Sequence, residues 1–403
     1  MAATLSTITP LLKEVYQGRI REQLNNEVTT LKRITRSSSG VSNETGGKYV
    51  TFPVHTRRNS GIGARNEMEA LPAAGQQGHA AARIGLKYQY GGIQLTGQAI
   101  ALSETDPKAF AKALDNEIEG LKNDFKKDLN RQIYGSGNGA IGTVKTNGTG
   151  VNTVAVVDAR LFQIGAIVDV VTVSGPTVAV SARTVTAVDL TSGANTVTLS
   201  GATFNVTAGQ IITRTGSSFR EITGLESIIA SSGTLYNIDP SAEPEWTAEV
   251  SSNGGTARAL SEGLMIQMAD RIRTRGGSTT VIFQSLGVRR SYFNLLSQTR
   301  STVNQQDFKG GFTGLAFTTD NGEIPVVADV DAPLGKQYFV NEDALTFYRD
   351  QEAHWLDRDG SMWKQVRDAS GDYDAYYARL VEYHELGTDR RNTHGLISDI
   401  IES

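Results

Sequence analysis

Apolar residues between positions 107 and 134 recur three and four apart. Phe110, Leu114, Ile118, Leu121, Phe125, Leu129 and Ile133 fall on one stripe, and the spacing predicts one continuous helix. Asp106-Pro107 supplies an N-cap residue followed by proline at the first helical position. A helix of that length is ~40 Å long at 1.5 Å per residue and can serve as a spine. Earlier, Leu12, Val15, Ile20, Leu24, Val28, Leu31 and Ile34 lie among many charges, which predicts an amphipathic helical arm of irregular period over residues 11–34. Ser37-Ser38-Ser39-Gly40 breaks it. The pattern then changes to period two: Lys48 to His55 puts Val50, Phe52 and Val54 on one face, and a second alternating run follows in Ile84, Leu86, Tyr88 and Tyr90. Between them, residues 57–82 hold few large apolar side chains (Ile62, Met68, Leu71), with Arg57, Arg58, Arg65, Glu67 and Glu69 interspersed. This predicts an extended two-stranded loop with a polar tip. Such a hairpin is marginal in water, so it is expected to rest on another surface, a neighbouring copy.

Gly135 to Gly142 ends the long helix, and the composition shifts. From Gly150 to Gly216 there are fourteen valines, twelve threonines and six charged residues. Runs at Ile167–Val173, Thr177–Val180, Arg183–Val188, Thr196–Leu199 and Gln210–Arg214, separated by Ser-Gly turns, predict a small inserted β-barrel. A helix is expected over Thr256–Arg273, using Ala257, Leu260, Leu264, Met268 and Ile272 and ending at Gly276-Gly277. A buried strand (Thr279–Phe283) and a short helix (Val288–Leu296) follow, then strands at Ile324–Ala328, Gln337–Val340 and Leu345–Tyr348, a turn at Asp331–Gly335, and an extended run from Asp374 to His384. Strands and helices in this order predict an α+β fold.

At 403 residues the chain exceeds the usual size of one core, so two or three subdomains are expected. A mean hydropathy of -0.27 and the lack of ~18 consecutive apolar residues give no membrane span. The start Met1-Ala2-Ala3-Thr4 lacks the basic and apolar regions of a secretory signal, so a cytoplasmic site of synthesis is expected. Zero cysteines exclude disulfides, thiolate metal sites and thiol nucleophiles. A net charge of -4 argues against a dedicated nucleic-acid binder and leaves nonspecific contact with DNA at most.

Several motifs invite a chemical reading and lose it on context. Gly137-Asn138-Gly139-Ala140-Ile141-Gly142 has the spelling of a dinucleotide fingerprint, but it follows a helix instead of a strand and opens none. Asp357-Arg358-Asp359-Gly360 resembles a calcium loop, but its glycine comes at the fourth position instead of the sixth, and a turn is the plainer reading. Asp329 and Asp331 are available as paired carboxylates, against the plainer reading that they satisfy turn amides. His55, His79, His354, His384 and His394 never fall at a metal-binding spacing. The pairs Arg57/Arg58, Arg289/Arg290 and Arg390/Arg391 read first as solvated surface, then as partners for acids or DNA phosphates. No catalytic, cofactor-binding or metal site is expected.

The order of parts resembles the major capsid proteins of tailed bacteriophages, a fold shared with encapsulins. The local text that carries the resemblance is Glu22-Gln23-Leu24-Asn25-Asn26-Glu27, Val50-Thr51-Phe52-Pro53-Val54, Asn59-Ser60-Gly61-Ile62-Gly63-Ala64-Arg65 and Asp128-Leu129-Asn130-Arg131-Gln132-Ile133-Tyr134-Gly135. Val288 to Leu296 and Ile324 to Asp329 are similar to that family's axial-domain helix and strand. The resemblance covers nearly everything except residues 150–216. It implies an N-terminal arm (1–45), an extended loop (46–100), a spine helix and linker of the peripheral domain (101–149), the inserted barrel (150–216), a connection (217–250), an axial domain (251–336) and a return to the peripheral domain (337–403). It further implies pentamers and hexamers closing an icosahedral shell around phage DNA. Arm residues Arg19, Arg21 and Glu22 and loop residues Arg57, Arg58, Arg65, Glu67 and Glu69 would lie at inter-subunit contacts. The portal, with scaffolding or decoration proteins, would be further partners, and the virion the location. Some relatives lock the shell with a Lys–Asn isopeptide bond from the loop. Residues 57–82 contain no lysine, and only Lys48 and Lys87 flank them, which counts against that chemistry here. An encapsulin-like compartment shell is the alternative.

Overall fold

The computed structural model describes residue 25 and residues 27–37, 49–98, 107–191, 194–300, 316–319, 322–357, 360–368 and 371–402. Of the arm, these include one short helix, Thr29–Arg33, and a strand, Thr35–Ser37. Arg19, Arg21 and Glu22 lie outside the described residues, as do Lys48, Asp106, Arg358 and Asp359.

The long helix spans Pro107–Ile133. Along its described side chains, Ile118 and Leu121 are half-buried, and Phe125, Leu129 and Ile133 are buried. Phe110 and Leu114 belong to the helix, but their side chains lie outside the described set. The helix packs on the strand Lys87–Thr96, where Gly91 leaves the space that Leu121 fills. Its C-terminal end meets Gly224. A Cβ there would lie 2.5 Å from the carbonyl oxygens of Gln132, Ile133 and Gly135, so only glycine permits this approach.

Two large sheets and a hairpin surround this helix. In the first sheet, the 18-residue strand Gly371–Thr388 pairs with Lys87–Thr96, Leu345–Arg349, His354–Trp355 and Lys364–Asp368, and Thr35–Ser37 adds in parallel to Leu345–Arg349. The second sheet has the order Glu249–Ser251, Gly395–Ile397, Gln337–Val340, Val281–Gln284, Gly322–Ala328, Ala316–Thr319, and is mixed in direction. Its central strands, Val281–Gln284 and Gln337–Val340, are buried at every position, as expected of a sheet covered on both faces. One face joins the main core with Phe283, Tyr338 and Val340. The other, with Ile282 and Phe339, packs under Met265, Met268 and Ile272 of the helix Glu262–Thr274 and under Val288 and Tyr292 of the helix Leu286–Arg300.

The valine- and threonine-rich section forms its own six-stranded sheet, in the order Ala140–Thr143, Ile211–Arg214, Ile167–Thr172, Thr177–Asp189, Thr196–Leu199, Thr153–Ala155. It has a separate core that includes Val156, Val168, Val170, Val197 and Ile212. The two ends of this order meet: Val157 N donates to Thr143 O at 2.9 Å and Lys145 N to Ala155 O at 2.8 Å. The first strand therefore precedes the composition shift at Gly150.

Other elements also depart from the periodicity. The alternating run from Ile84 to Tyr90 is divided. Gly78–Gly85 pairs with Tyr49–Arg57 as the hairpin, whereas Tyr88 and Tyr90 belong to Lys87–Thr96 in the first sheet. Ile84 is buried on even phase, but after Leu86 the even positions point outward, so both tyrosines are exposed. The hairpin base also does not wait for a neighbour: Val50, Ala82 and Ile84 are buried in the main core of their own chain. The expected helix from Thr256 starts at Glu262, because Ser261 accepts from Leu264 N as its N-cap while Arg258 bonds Asp399 O and Ile401 N. Thr177–Val180 and Arg183–Val188 are one strand, Thr177–Asp189, which passes Ala182 at φ 49°.

Phe283 is fully buried in the middle of the second sheet. Phe283→Ala is expected to destabilise the subunit by about 3–5 kcal/mol, read as a lowered urea midpoint of the dissociated chain.

Candidate functional site

The Asp128-to-Gly135 segment closes the long helix and serves two polar junctions on its two sides. On one side lies the turn after Gly322–Ala328. Asp329 and Asp331 are both buried there, and they are not a reacting pair but the anchor of the N-terminal segment. Thr30 donates to Asp329 Oδ2 from its backbone N at 3.1 Å and from its hydroxyl at 2.7 Å. Asn130 Nδ2 donates to both oxygens of Asp329 at 3.1 Å and to Asp331 Oδ2 at 2.6 Å, while its Oδ1 accepts from Leu31 N at 3.0 Å. Lys127 Nζ reaches Asp331 Oδ2 at 2.9 Å and Glu27 O at 3.0 Å. Asp331 N donates to Asp329 Oδ1 at 2.9 Å, so the expected turn amide is satisfied as well. Burial pushes the Asp331 carboxyl up, against the bonds from Asn130 and Lys127. The same turn is held from the inserted sheet, because Arg160 donates to Val330 O and Ala332 O, both at 3.2 Å, and is itself clamped by Asp158.

On the other side, Arg131 bridges Asp128 (3.0 Å) and Glu221 (2.6 Å), and Arg214 of the inserted sheet reaches Asp128 at 3.2 Å. Burial opposes ionisation of Asp128, but Arg131 and Arg214 outweigh it and hold that carboxyl below its ordinary range. Gln89 and Gln132 also donate to Asp128, at 3.1 and 2.8 Å. Sequence reasoning chose the Asp128–Gly135 text only for its likeness to relatives. Its alternation of polar side chains at Asp128, Asn130, Arg131 and Gln132 on an otherwise apolar stripe was the available signal for two buried networks.

The loop residues divide into three kinds. Arg57 is taken by its own chain: it makes a two-pronged pair with Glu243 at 2.6 and 3.2 Å, and its hydrogen bonds pull the Glu243 carboxyl down to about 2. Arg65 folds back on Ala64 O and Ala70 O, and Glu69 accepts from Asn66 N and Asn66 Nδ2, so these two shape the tip. Arg58 and Glu67 are exposed. Beside them stand three large apolar side chains, with Ile62 at 87%, Met68 at 100% and Leu71 at 85% exposure.

Arg391, read as half of a surface pair, is buried. It donates to the carbonyls of Ser227, Ile228 and Gly233 at 2.9–3.1 Å, which satisfies the end of the short helix Leu225–Ile228. His55 faces His79 across the hairpin, with ring centroids 5.2 Å apart. Among the described residues no cluster of three His, Cys, Asp or Glu side chains is placed to hold a metal ion. The glycines of 137–142 form the link from the long helix to Ala140–Thr143, with Gly137 and Gly139 at φ 82° and 80°.

A family model described as SU10 major capsid protein matches residues 92–400. The chain belongs to the SU10 major capsid protein family. That is a family of bacteriophage shell proteins, structural and not enzymatic, and it places this capsid protein in the virion. The matched residues contain the inserted sheet and most of both polar junctions, while the hairpin and the junction residues Glu27, Thr30, Leu31 and Gln89 precede them. Over 99% of both chains the fold is similar to a chain of the cyanophage A-1(L) capsid asymmetric unit, at 16% identity and a TM-score of 0.63. A chain of Mycobacterium phage Bobi matches over 100% of both at 11% identity and 0.51, and a capsid chain of a native GTA particle over 100% of both at 9% and 0.50. No curated protein matches. The encapsulin-like alternative is not favoured by these findings.

Asn130 is the shared donor of the first junction, so Asn130→Ala in the capsid protein leaves two buried carboxylates short of partners. A loss of about 3 kcal/mol is expected, with faster proteolysis within residues 27–33, measured by thermal melting and limited digestion. Three buried groups set a pH optimum. Burial lowers His384 and His394 to about 3, so their stabilisation is complete above ~6.5 and is lost as pH falls toward 3. Burial raises Glu385 to about 8, so its contribution is present below ~4.3 and is lost as pH rises through 8. From these groups, dissociated subunits should be most stable near pH ~6.5, and Glu385→Gln should flatten the alkaline limb of a melting-temperature profile.

Proposed function

We propose that this capsid protein assembles into pentamers and hexamers that close an icosahedral head around the phage DNA. Membership of a major capsid family over residues 92–400 supports the reading, and the exposed hairpin tip is the observation that carries it furthest. The base of the hairpin is fixed in its own subunit by Val50, Ala82 and Ile84 and by the Arg57–Glu243 pair. The tip, residues 58–77, extends away with Ile62, Met68 and Leu71 in solvent. Three large side chains held so far from the core cost free energy in a lone subunit, and a surface on an adjacent copy removes that cost.

In this reading the helix Pro107–Ile133 is the spine of a peripheral domain that also contains the sheet built on Gly371–Thr388. The mixed sheet with Val281–Gln284 at its centre, together with the helices Glu262–Thr274 and Leu286–Arg300, is the axial domain at the ring centre. The inserted six-stranded sheet, whose ends meet, is a small closed barrel. The arm reaches a further neighbour through Arg19, Arg21 and Glu22, and Arg58 and Glu67 make charged contacts from the loop tip. The chain is made and assembled in the host cytoplasm, with the portal and scaffolding or decoration proteins as partners. A net charge of -4 limits contact with packaged DNA to the nonspecific kind.

Deleting residues 61–78 should leave soluble, folded subunits that build no closed shells, as seen by electron microscopy and sedimentation. Normal particles from the deletion variant would refute the role given to the loop.

A further inference from the structure

The hairpin brings together two histidines that stand at no metal-binding spacing in the sequence. In the register of Tyr49–Arg57 against Gly78–Gly85, His55 lies directly opposite His79, so both side chains leave the same face of the ribbon. Their ring centroids are 5.2 Å apart, and both residues are exposed, so an ion reaches them from solvent. The pairing is regular up to this point and shifts between His55 and Arg57, where the loop departs. A third polar group adjoins them: His55 Nε2 lies 2.7 Å from Gln77 Oε1. An amide oxygen only accepts, so Nε2 carries the proton of the neutral ring and Nδ1 keeps its lone pair.

We propose that His55 and His79 bind one divalent transition-metal ion of the zinc, copper or nickel class, with Gln77 as a positioning residue. Neutral imidazole is a ligand these ions take, whereas magnesium and calcium select oxygen. With metal–nitrogen bonds of ~2.1 Å and a tetrahedral angle, two imidazoles on one ion have centroids about 5 Å apart, which is the separation the hairpin sets. Gln77 acts as the carbonyl that takes the second ring N–H of a ligating histidine and so fixes its tautomer and orientation. Two imidazoles are fewer than a closed structural site needs, and water fills the remaining positions of the ion. The ion joins the two strands at the mouth of the loop, and a clip across a loop's ends reduces the open conformations available to it. Metal supply therefore sets how firmly residues 58–77 are held. The inference stands on the hairpin geometry and does not depend on the shell reading.

The test titrates zinc chloride into dissociated full-length subunits by calorimetry, with magnesium present throughout. One equivalent should bind saturably. His55→Asn and His79→Asn should each abolish that binding while the far-UV spectrum and the metal-free melting transition stay unchanged. Gln77→Leu should weaken it roughly tenfold, and Gln77→Glu, which keeps an acceptor, should restore it. His354→Asn, at an exposed histidine outside the hairpin, should leave it unaltered. Copper reads the ligand set directly: the paramagnetic resonance spectrum of one equivalent should show two imidazole nitrogens in the unaltered chain and one in either hairpin variant. Zinc should also slow hydrogen–deuterium exchange of the unaltered chain within residues 49–57 and 78–85. Zinc binding that survives in both histidine variants, that is lost equally in His354→Asn, or that magnesium displaces overturns the proposal. A copper spectrum with a single imidazole, or exchange that zinc does not change, overturns it as well.

Discussion

Two buried aspartates on one turn organise this subunit. Asp329 and Asp331 accept from the N-terminal segment through Thr30 and from the long helix through Asn130 and Lys127, while Arg160 of the inserted sheet grips the carbonyls on either side of the same turn. The N-terminal segment, the long helix, the insertion and the second sheet meet at this turn, so their relative positions depend on it. Two carboxylates excluded from water are costly unless each is fully partnered. That cost makes the arrangement specific. A displaced segment would leave an acid unpaired, so the chain has one way to bring these four parts together.

A shell subunit has to be rigid in its body and open at its edges, and the distribution of burial follows that division. The body joins both sheets, the base of the hairpin and the end of the long helix in continuous cores. The edges hold the exposed aliphatic residues: Ile62, Met68 and Leu71 at the hairpin tip, and Ile164, Val178 and Leu190 on the inserted sheet. Arg57–Glu243 marks the boundary between the two, since it fixes where the hairpin leaves the body. Arg57, Arg65 and Glu69 bond within the chain that carries them, and Ile62, Met68 and Leu71 stand exposed.

His384 and Glu385 of the long strand and His394 before the last strand are kept uncharged by burial, the histidines neutral and Glu385 protonated up to about 8. Glu385 accepts from Thr223 N and Leu386 N, so it ties the long strand to the segment that follows the inserted sheet. His394 accepts from Asn341 N and joins the last strand to the turn after Gln337–Val340. Glu385 and His394 act as uncharged hydrogen-bonding joints, while His384 is buried against Phe347, and their titration limits the pH range over which this packing holds.

Periodicity by itself determined the elements whose pattern is unbroken. The helix from Pro107, the fully apolar strands at Val281–Gln284 and Gln337–Val340, and the short strands of the inserted section follow from local spacing and turn residues, since one buried face suffices to dictate each. Words shared with relatives also pointed to the family, and zero cysteines with five ill-spaced histidines removed most catalytic readings. Only tertiary structure decided the rest. The split of the Ile84–Tyr90 run depends on a partner strand nearly three hundred residues away. The late start at Glu262 arises because Arg258 bonds the C-terminal segment, and the burial of Arg391 exists only because the carbonyls of Ser227, Ile228 and Gly233 converge on it. Local sequence records which face of an element is apolar. It does not record which distant backbone will claim a residue's hydrogen bonds, because that choice is made by packing.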